Sequence, residues 1–374
     1  MFILFLLIPF SGYSQDERMT LKVAGEDAFV TSPHGGCVFG YHFRKCMYNE
    51  LYTFYRVTLT TDSLKNEIVN EASSDNIGPF LIKGGGWTGG NHIYKDNKTR
   101  TAETVSVEIF ADGNPVKSDT VQQADNISFK VRNVLFNPLG VYVGDRKQVE
   151  FTDTLCYEYA EYQVKGNSVQ VKVEHEYINE IPVTVSRYYG MQSVFRYERY
   201  ILTPRGEYKS WTPVKNVSRF RKGSYPYCNR FVEKSRVCAQ SAYLFGRGLG
   251  MRNELPDGDD IFIGNSWTKS YHKLIGNAPR KAGDSDFWEG VYTWTSKPLT
   301  DADGVYAYDG YIDGRHAVYF SNVKKGSYAV ELPEWCKNKE FKIIENTSDA
   351  VIRCENGLLE TDCRKGGSII MIFK

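Results

Sequence analysis

The sequence predicts an all-β protein: a large β-sandwich or jelly-roll-like multi-sheet domain with a small C-terminal β-module. Three observations carry that expectation. The dominant hydrophobic period is two, not 3.6. Aromatic residues make up 14% of the chain, led by 26 Tyr and 21 Phe, with 33 Gly beside them, a mixture that suits strands and turns. Helical patterns are scarce, and the best of them, Ser63 to Glu71, is short. With 374 residues, 41% of them hydrophobic, the chain can bury one large core or two ordinary ones.

Residues 1–15 read as an export signal: an apolar run, Phe2 to Ile8, then Pro9 and the small-residue stretch Ser11-Gly12-Tyr13-Ser14. The run is much shorter than the ~20 residues that span a bilayer. The expectation is a secreted or periplasmic protein without membrane insertion or a lipid anchor, beginning near Gln15 or Asp16. Residues 16–322 form the main domain. Thr104 to Ile109 alternates and ends in the turn Ala111-Asp112-Gly113-Asn114-Pro115. Ser128 to Val134 is a second strand. Val169 to Tyr177 is the clearest, and Val183 to Tyr189 follows after the break Asn179-Glu180-Ile181-Pro182. The Gly-, Asp- and Asn-rich stretches 246–264 and 277–286 read as long surface loops. Residues 323–374 form the terminal module, with strands at Tyr328–Pro333, Phe341–Ile344, Val351–Cys354 and Ser368–Phe373.

Charge and cysteine usage exclude several classes. Forty-six Lys+Arg against 45 Asp+Glu leave a formal charge of +1, so no global field draws the chain to nucleic acid or anionic lipid. Eight Cys in an exported chain permit disulfides, and Cys37–Cys46, Cys228–Cys238 and Cys354–Cys363 would close hairpin-sized loops. No Cys/His spacing suits zinc. The acidic loops Asp257-Gly258-Asp259-Asp260 and Asp301-Ala302-Asp303-Gly304 lack full EF-hand spacing, so no cofactor is expected and calcium is the one candidate. There is no Gly-x-Ser-x-Gly elbow.

The densest polar constellation is Gly84-Gly85-Gly86-Trp87-Thr88-Gly89-Gly90-Asn91-His92-Ile93-Tyr94-Lys95, with Arg100 shortly after. Glycine lets backbone approach other groups closely. The stretch is either a glycine-rich turn with a core histidine, or a substrate loop with a Trp platform and a His92/Tyr94 proton-transfer pair. It is not a phosphate loop, since it lacks the Gly-Lys-Ser/Thr ending. The second constellation follows from the period of two. His175 and Tyr177 fall on the apolar side of their strand, and Arg187 and Tyr189 fall on the side of Val183 and Val185. His175 is either a satisfied core histidine or a site residue. An inward Arg187 needs a protein carboxylate or an anionic ligand, because an unpaired buried guanidinium is very costly. Tyr188, Tyr189 and Gln192 add stacking and hydrogen-bonding capacity.

His, Tyr, Arg and Asn without a nucleophile motif suit elimination on a uronic acid. Cationic or amide groups neutralise the carboxylate and stabilise the enolate, while a Tyr or His moves protons. On Trp87…Asn91-His92-x-Tyr94, His175-x-Tyr177, Arg187-Tyr188-Tyr189, the export signal and the terminal module, the chain resembles the secreted bacterial polysaccharide lyases that use a His/Tyr pair on a β-scaffold. The resemblance implies cleavage of a uronate-containing polymer, with a glycosaminoglycan such as chondroitin or hyaluronan favoured. It casts His92 or His175 as carboxylate neutraliser or base and Tyr94 or Tyr189 as acid/base. Asn91, Arg100 and Arg187 become carboxylate clamps and Trp87 a stacking platform, while Lys95, Tyr177, Tyr188 and Gln192 become substrate contacts. Two other classes stay open: a non-catalytic carbohydrate-binding protein, and a glycoside hydrolase drawing paired carboxylates from Glu174, Glu176, Asp286 and Glu289.

Overall fold

A computed structural model describes residues 18–71, 77–145, 147–194, 199–203, 206–211, 218–220, 228–233, 238–249, 261–263, 269–302 and 304–374. The expected export signal lies outside them, as does the acidic loop 257–260. Among the described residues the chain is β throughout, paired antiparallel, with a 3-10 turn at Glu334–Cys336 and no α-helix.

A ten-stranded sheet organises the molecule. Its middle runs Ala239–Gly248, Ser285–Thr295, Ser168–Tyr177, Thr154–Lys165, Ile127–Phe136 and Ala102–Ala111. The alternation read from Val169 to Tyr177 holds. Val169, Val171, Val173, His175 and Tyr177 are buried, and Gln170, Lys172, Glu174 and Glu176 face outward. Two six-stranded sheets cover that buried face. One carries Met19–Ala24, Asp27–His34, Cys37–Cys46 and Leu51–Thr60, and stacks Phe43 on Phe129 with ring centroids 3.9 Å apart. The other carries Lys269–Arg280, Val183–Val194, Pro79–Ile82 and Gly86–Gly89, and sets Phe80 against His175. All three sheets share one core. Each large apolar side chain in it contributes about 1.5–3 kcal/mol.

The C-terminal region is a five-stranded sheet faced by a three-stranded one, closed on Val318, Phe320, Leu359, Met371 and Phe373. Arg315–Asn322 pairs directly with Gly367–Phe373, so strands on either side of residue 322 share one sheet. Tyr243 and Val291 of the long sheet pack with Tyr308, Tyr319 and Ile370, which joins this region to the sandwich.

The structure departs from three sequence expectations. Ser63–Glu71 is not helical. Thr61 Oγ1 accepts from the Ser63 and Leu64 amides, Asn66 takes φ 51°, and Glu67–Glu71 leaves that turn as a strand. Local side-chain bonds of this kind compete directly with helix. Residues 277–286 are not a long loop: Lys269–Arg280 and Ser285–Thr295 extend through them around a short turn. Cys37, Cys354 and Cys363 are free thiols, so neither the Cys37–Cys46 nor the Cys354–Cys363 bridge forms. Cys37 and Cys46 stand at opposite ends of one ten-residue strand. At ~3.4 Å per residue they are about 30 Å apart, far beyond disulfide reach. The Cys228 side chain lies outside the description.

The seam between the sandwich and the C-terminal sheets holds one notable carboxyl. A β-bulge between Ile343 and Glu345 shifts the pairing there, and Glu345 Oε2 accepts from Tyr243 Oη at 2.7 Å while Oε1 has no hydrogen-bond partner. Burial pushes the Glu345 carboxyl up to about 7 from its ordinary 4.5. The folded state therefore holds a proton that the unfolded state releases between those values, and stability falls as pH rises across that window. Glu345→Gln should leave stability unchanged near about pH 4 and raise it by about 2 kcal/mol near about pH 8. Denaturant unfolding at the two pH values checks this. An equal effect at both would contradict it.

Candidate functional site

The glycine-rich loop is held by a buried polar cluster. Asn49, fully buried, donates through Nδ2 to the carbonyls of Gly90 and His92, both at 2.9 Å, and accepts the Thr101 amide at 3.0 Å. Thr101 Oγ1 donates to the His92 carbonyl, and Thr88 Oγ1 bonds the Thr101 and Phe136 carbonyls. Gly89 has φ +75°, and a Cβ there would lie 2.8 Å from Leu135 Cδ2. These contacts fix the loop on the sandwich, with Trp87 and His92 half-buried at its surface.

The two constellations meet in one sheet. Val183–Val194 pairs with Pro79–Ile82, which pairs with Gly86–Gly89, so Arg187, Leu81 and Trp87 stand in one cross-strand row. Tyr188, Phe80 and Thr88 form the next row, all three buried. Residues directly opposite share a face and adjacent ones alternate, so the Arg187 row looks outward. Trp87 stacks on His92 at 4.7 Å and 16°, and on Tyr189 at 6.2 Å and 25°. One indole thus aligns an imidazole from the loop with a phenol from the strand. Lys273 stands opposite Tyr189 in the next ladder. The Lys95 stem crosses Gly86, where an added Cβ would lie 3.3 Å from Lys95 Cε.

Gly78 makes this junction possible. With φ +88°, it lies so close to the strand Val183–Val194 that a Cβ would sit 1.5 Å from the Tyr189 carbonyl oxygen. Gly78→Ala combines a disfavoured φ with a backbone collision, and should destabilise the fold by about 3 kcal/mol or more. Thermal unfolding of the variant measures it; a loss under about 1 kcal/mol would mean that the two segments are not pressed together.

The remaining candidates divide by burial. Arg187 is exposed, not inward. A β-bulge between Val185 and Arg187 inserts one residue and flips the alternation, so Tyr188 takes the buried position expected of Arg187. His175 is a core residue, 1% exposed, with Nε2 3.1 Å from Glu158 Oε2. Its pair belongs to a buried relay: the Tyr52 amide to Thr104 Oγ1, Thr104 to Asn133, Asn133 to Glu158, and Glu158 to His175. Tyr177 donates to Asp286, which also takes two bonds from Arg280. Tyr188 donates to the Ile77 carbonyl and accepts from Trp288 Nε1. Burial, and then Asp286 for Tyr177 and Glu158 for Tyr188, holds both phenols well above their ordinary range. None of these three offers a group to a polymer, and the buried-core reading of His175 stands.

Gln192 is buried, and its backbone carbonyl accepts from Tyr292 Oη at 2.9 Å. Tyr94 packs edge-on against Phe151 at 5.5 Å, in a separate aromatic group with Phe136. Asn91 Oδ1 accepts the Tyr48 amide at 3.2 Å. Exposed Arg100 is paired with Glu50 at 2.7 Å. Lys273 and the Asn49 staple escaped sequence reasoning. Only the strand register, which a lone lysine does not announce, places Lys273 opposite Tyr189. The carboxylates weighed for hydrolysis are each engaged: Glu174 with Lys172, Glu176 with Tyr159, Glu289 with Arg247, Asp286 with Arg280. Among the described residues no group of three or more His, Cys, Asp or Glu is placed to hold a metal ion, and no helix is long and apolar enough to cross a membrane.

No family model and no curated protein matches the chain. Among solved structures it is similar to the family 36 α-galactosidase AgaB from Geobacillus stearothermophilus, at 10% identity and TM-score 0.42, over 75% of this chain and 41% of that one. It is similar to a glycoside hydrolase family 97 enzyme from Pseudoalteromonas sp. strain K8, at 8% identity and TM-score 0.40, over 72% and 36%. It is also similar to the Streptomyces coelicolor A3 chondroitin AC lyase, at 9% identity and TM-score 0.24, over 98% and 51%. The chain thus spans about half or less of the length of these three proteins. Likenesses at this level assign no residue of the chain a role.

Proposed function

We propose that the chain acts on an acidic carbohydrate polymer, and that the Trp87 face cleaves it by β-elimination. One observation carries the reading: two half-buried or nearly buried proton-transfer groups, His92 and Tyr189, share one indole, with Arg187 on the same face and Lys95 and Lys273 beside it.

Neutralisation of the uronate carboxylate by Arg187 and Lys95 stabilises the enolate that forms when the C5 proton leaves. Tyr189 takes that proton. A phenol with an unperturbed pKa of ~10 needs nearby positive charge to act as a base at neutral pH, and Arg187 and Lys273 supply it. The electron pair of the C–H bond becomes a double bond between C4 and C5, the C4–O bond breaks, and the departing oxygen takes a proton from His92. Trp87 positions the two rings.

The test is incubation with a panel of neutral and uronate-containing polysaccharides, following the ultraviolet absorbance of the unsaturated uronate together with new reducing ends. Both should rise on uronate polymers alone. Reducing ends without the absorbance would mean hydrolysis, and binding without cleavage would mean a carbohydrate-binding protein; either overturns the proposal.

A further inference from the structure

A second face of the molecule carries its own chemistry. The hairpin that joins Thr154–Lys165 to Ser168–Tyr177 is docked into the C-terminal sheets. Asn167 Nδ2 donates to the Trp294 and Asp309 carbonyls, both at 3.0 Å, and a Cβ on Gly166 would lie 2.2 Å from the Tyr311 ring. Between hairpin and sheet runs a groove of about 540 Å³, within the ~300–1,000 Å³ of small-ligand sites. Its lining includes Lys165, Arg315, Lys339 and Lys374 with the rings of Tyr311 and His316, and no acidic side chain among the described residues.

The cations are of two kinds. Lys374 is paired with Glu340 at 2.8 Å, and Lys165 donates to the Asp125 carbonyl at 2.7 Å. Arg315 and Lys339 are exposed and have no carboxylate partner among the described residues. The floor is packed: His316 stacks on Trp335 at 4.2 Å and lies 4.6 Å from Tyr311, while half-buried Asp309 sits 3.3 Å from His34 behind them. Burial first, and then the positive groups around it, including His34, Lys339 and Lys165, pushes His316 down to about 4, so the ring is neutral at physiological pH and presents an apolar face. Fixed cations beside aromatic faces suit a sugar ring that bears a carboxylate or sulfate, which they can meet with charge and stacking together.

We infer that this groove is a second glycan-binding site, taking one or two anionic sugar units of the polymer chain. It rests on the proposed substrate class but needs no catalysis at Trp87. The groove lies at the Ser168 end of the strand Ser168–Tyr177, whereas Phe80, next to the Trp87 row, meets that strand at His175. At ~3.3 Å per residue the two sites stand on the order of 20–30 Å apart, which only a polymer can bridge. Simultaneous engagement raises the affinity for long chains through effective concentration, without altering the chemical step.

The experiment compares wild type with the double variant Arg315→Glu, Lys339→Glu. Both positions are exposed, and unchanged thermal unfolding confirms the fold; the single variants Arg315→Gln and Lys339→Gln replace it if the double variant unfolds. Binding is measured by calorimetry with a uronate-containing oligosaccharide, a neutral oligosaccharide of equal length and inorganic sulfate. The acidic oligosaccharide should bind wild type through a groove-dependent component that the variant weakens by ~10-fold or more. Its binding should also raise the His316 titration followed by NMR. Equal binding by wild type and variant, by acidic and neutral sugars, or by sulfate alone overturns the inference. KM for polymer should rise in the variant while cleavage of short substrates stays unchanged. Groove-dependent binding without any cleavage would sink the elimination reading and leave this one standing; cleavage with variant-insensitive binding would do the reverse.

Discussion

Tyr189→Phe is expected to lower the elimination rate on uronate polymer by about 10²–10⁴-fold, the usual contribution of a positioned acid or base. The phenylalanine ring keeps the stack on Trp87 that Tyr189 makes at 6.2 Å, so unfolding free energy should change by no more than about 1 kcal/mol. What disappears is the oxygen that receives the C5 proton. The fall should appear in kcat, with KM nearly constant, because the carboxylate clamps Arg187 and Lys95 remain. Initial rates from the ultraviolet absorbance of the product, set beside a denaturant curve, measure both effects. A rate within about threefold of wild type would remove Tyr189 from the chemistry.

Glu158→Ala is expected to have the largest effect on stability, about 3–5 kcal/mol. Glu158 is 1% exposed and serves two partners, Asn133 Nδ2 at 3.0 Å and His175 Nε2 at 3.1 Å. Its removal leaves both buried and unpaired and opens a cavity between the sheets, where no water from bulk can replace the carboxylate cheaply. In a His175→Phe background the same change should be milder by about 1–3 kcal/mol, the coupling expected of two groups in direct contact. Equilibrium denaturation of the four proteins completes the cycle. Strict additivity would mean that the pair does not interact, and a loss of activity in His175→Phe at unchanged stability would return His175 to the chemistry.

Much of this architecture was legible in the sequence because period-two patterning reports burial directly. Val169 to Tyr177 alternates in the chain as it alternates in the sheet, and His175 lies on the apolar side as its position requires. Where the pattern misled, a bulge intervened. One inserted residue before Arg187 moved that side chain to solvent and Tyr188 to the core, and a local alternation rule has no means of counting it. The Cys37–Cys46 pair failed for a related reason, since short sequence separation means proximity only if a turn intervenes, and Cys37 to Cys46 is one continuous strand. The meeting of Trp87, His92 and Tyr189 depends on pairing between segments about a hundred residues apart in sequence. Composition at either segment suggested chemistry, but neither specified its partner strand.

The measurement that bears most directly on the central claim is the indole N–H spectrum of the protein, labelled at its tryptophans, during titration with a uronate-containing oligosaccharide. The signal that vanishes in Trp87→Phe identifies Trp87, and Trp288 and Trp294, both fully buried, serve as internal references. With elimination at the Trp87 face, the Trp87 signal should shift saturably while the two references stay unmoved. Saturable binding or cleavage of the oligosaccharide with the Trp87 signal stationary would place the substrate elsewhere on the molecule and contradict it.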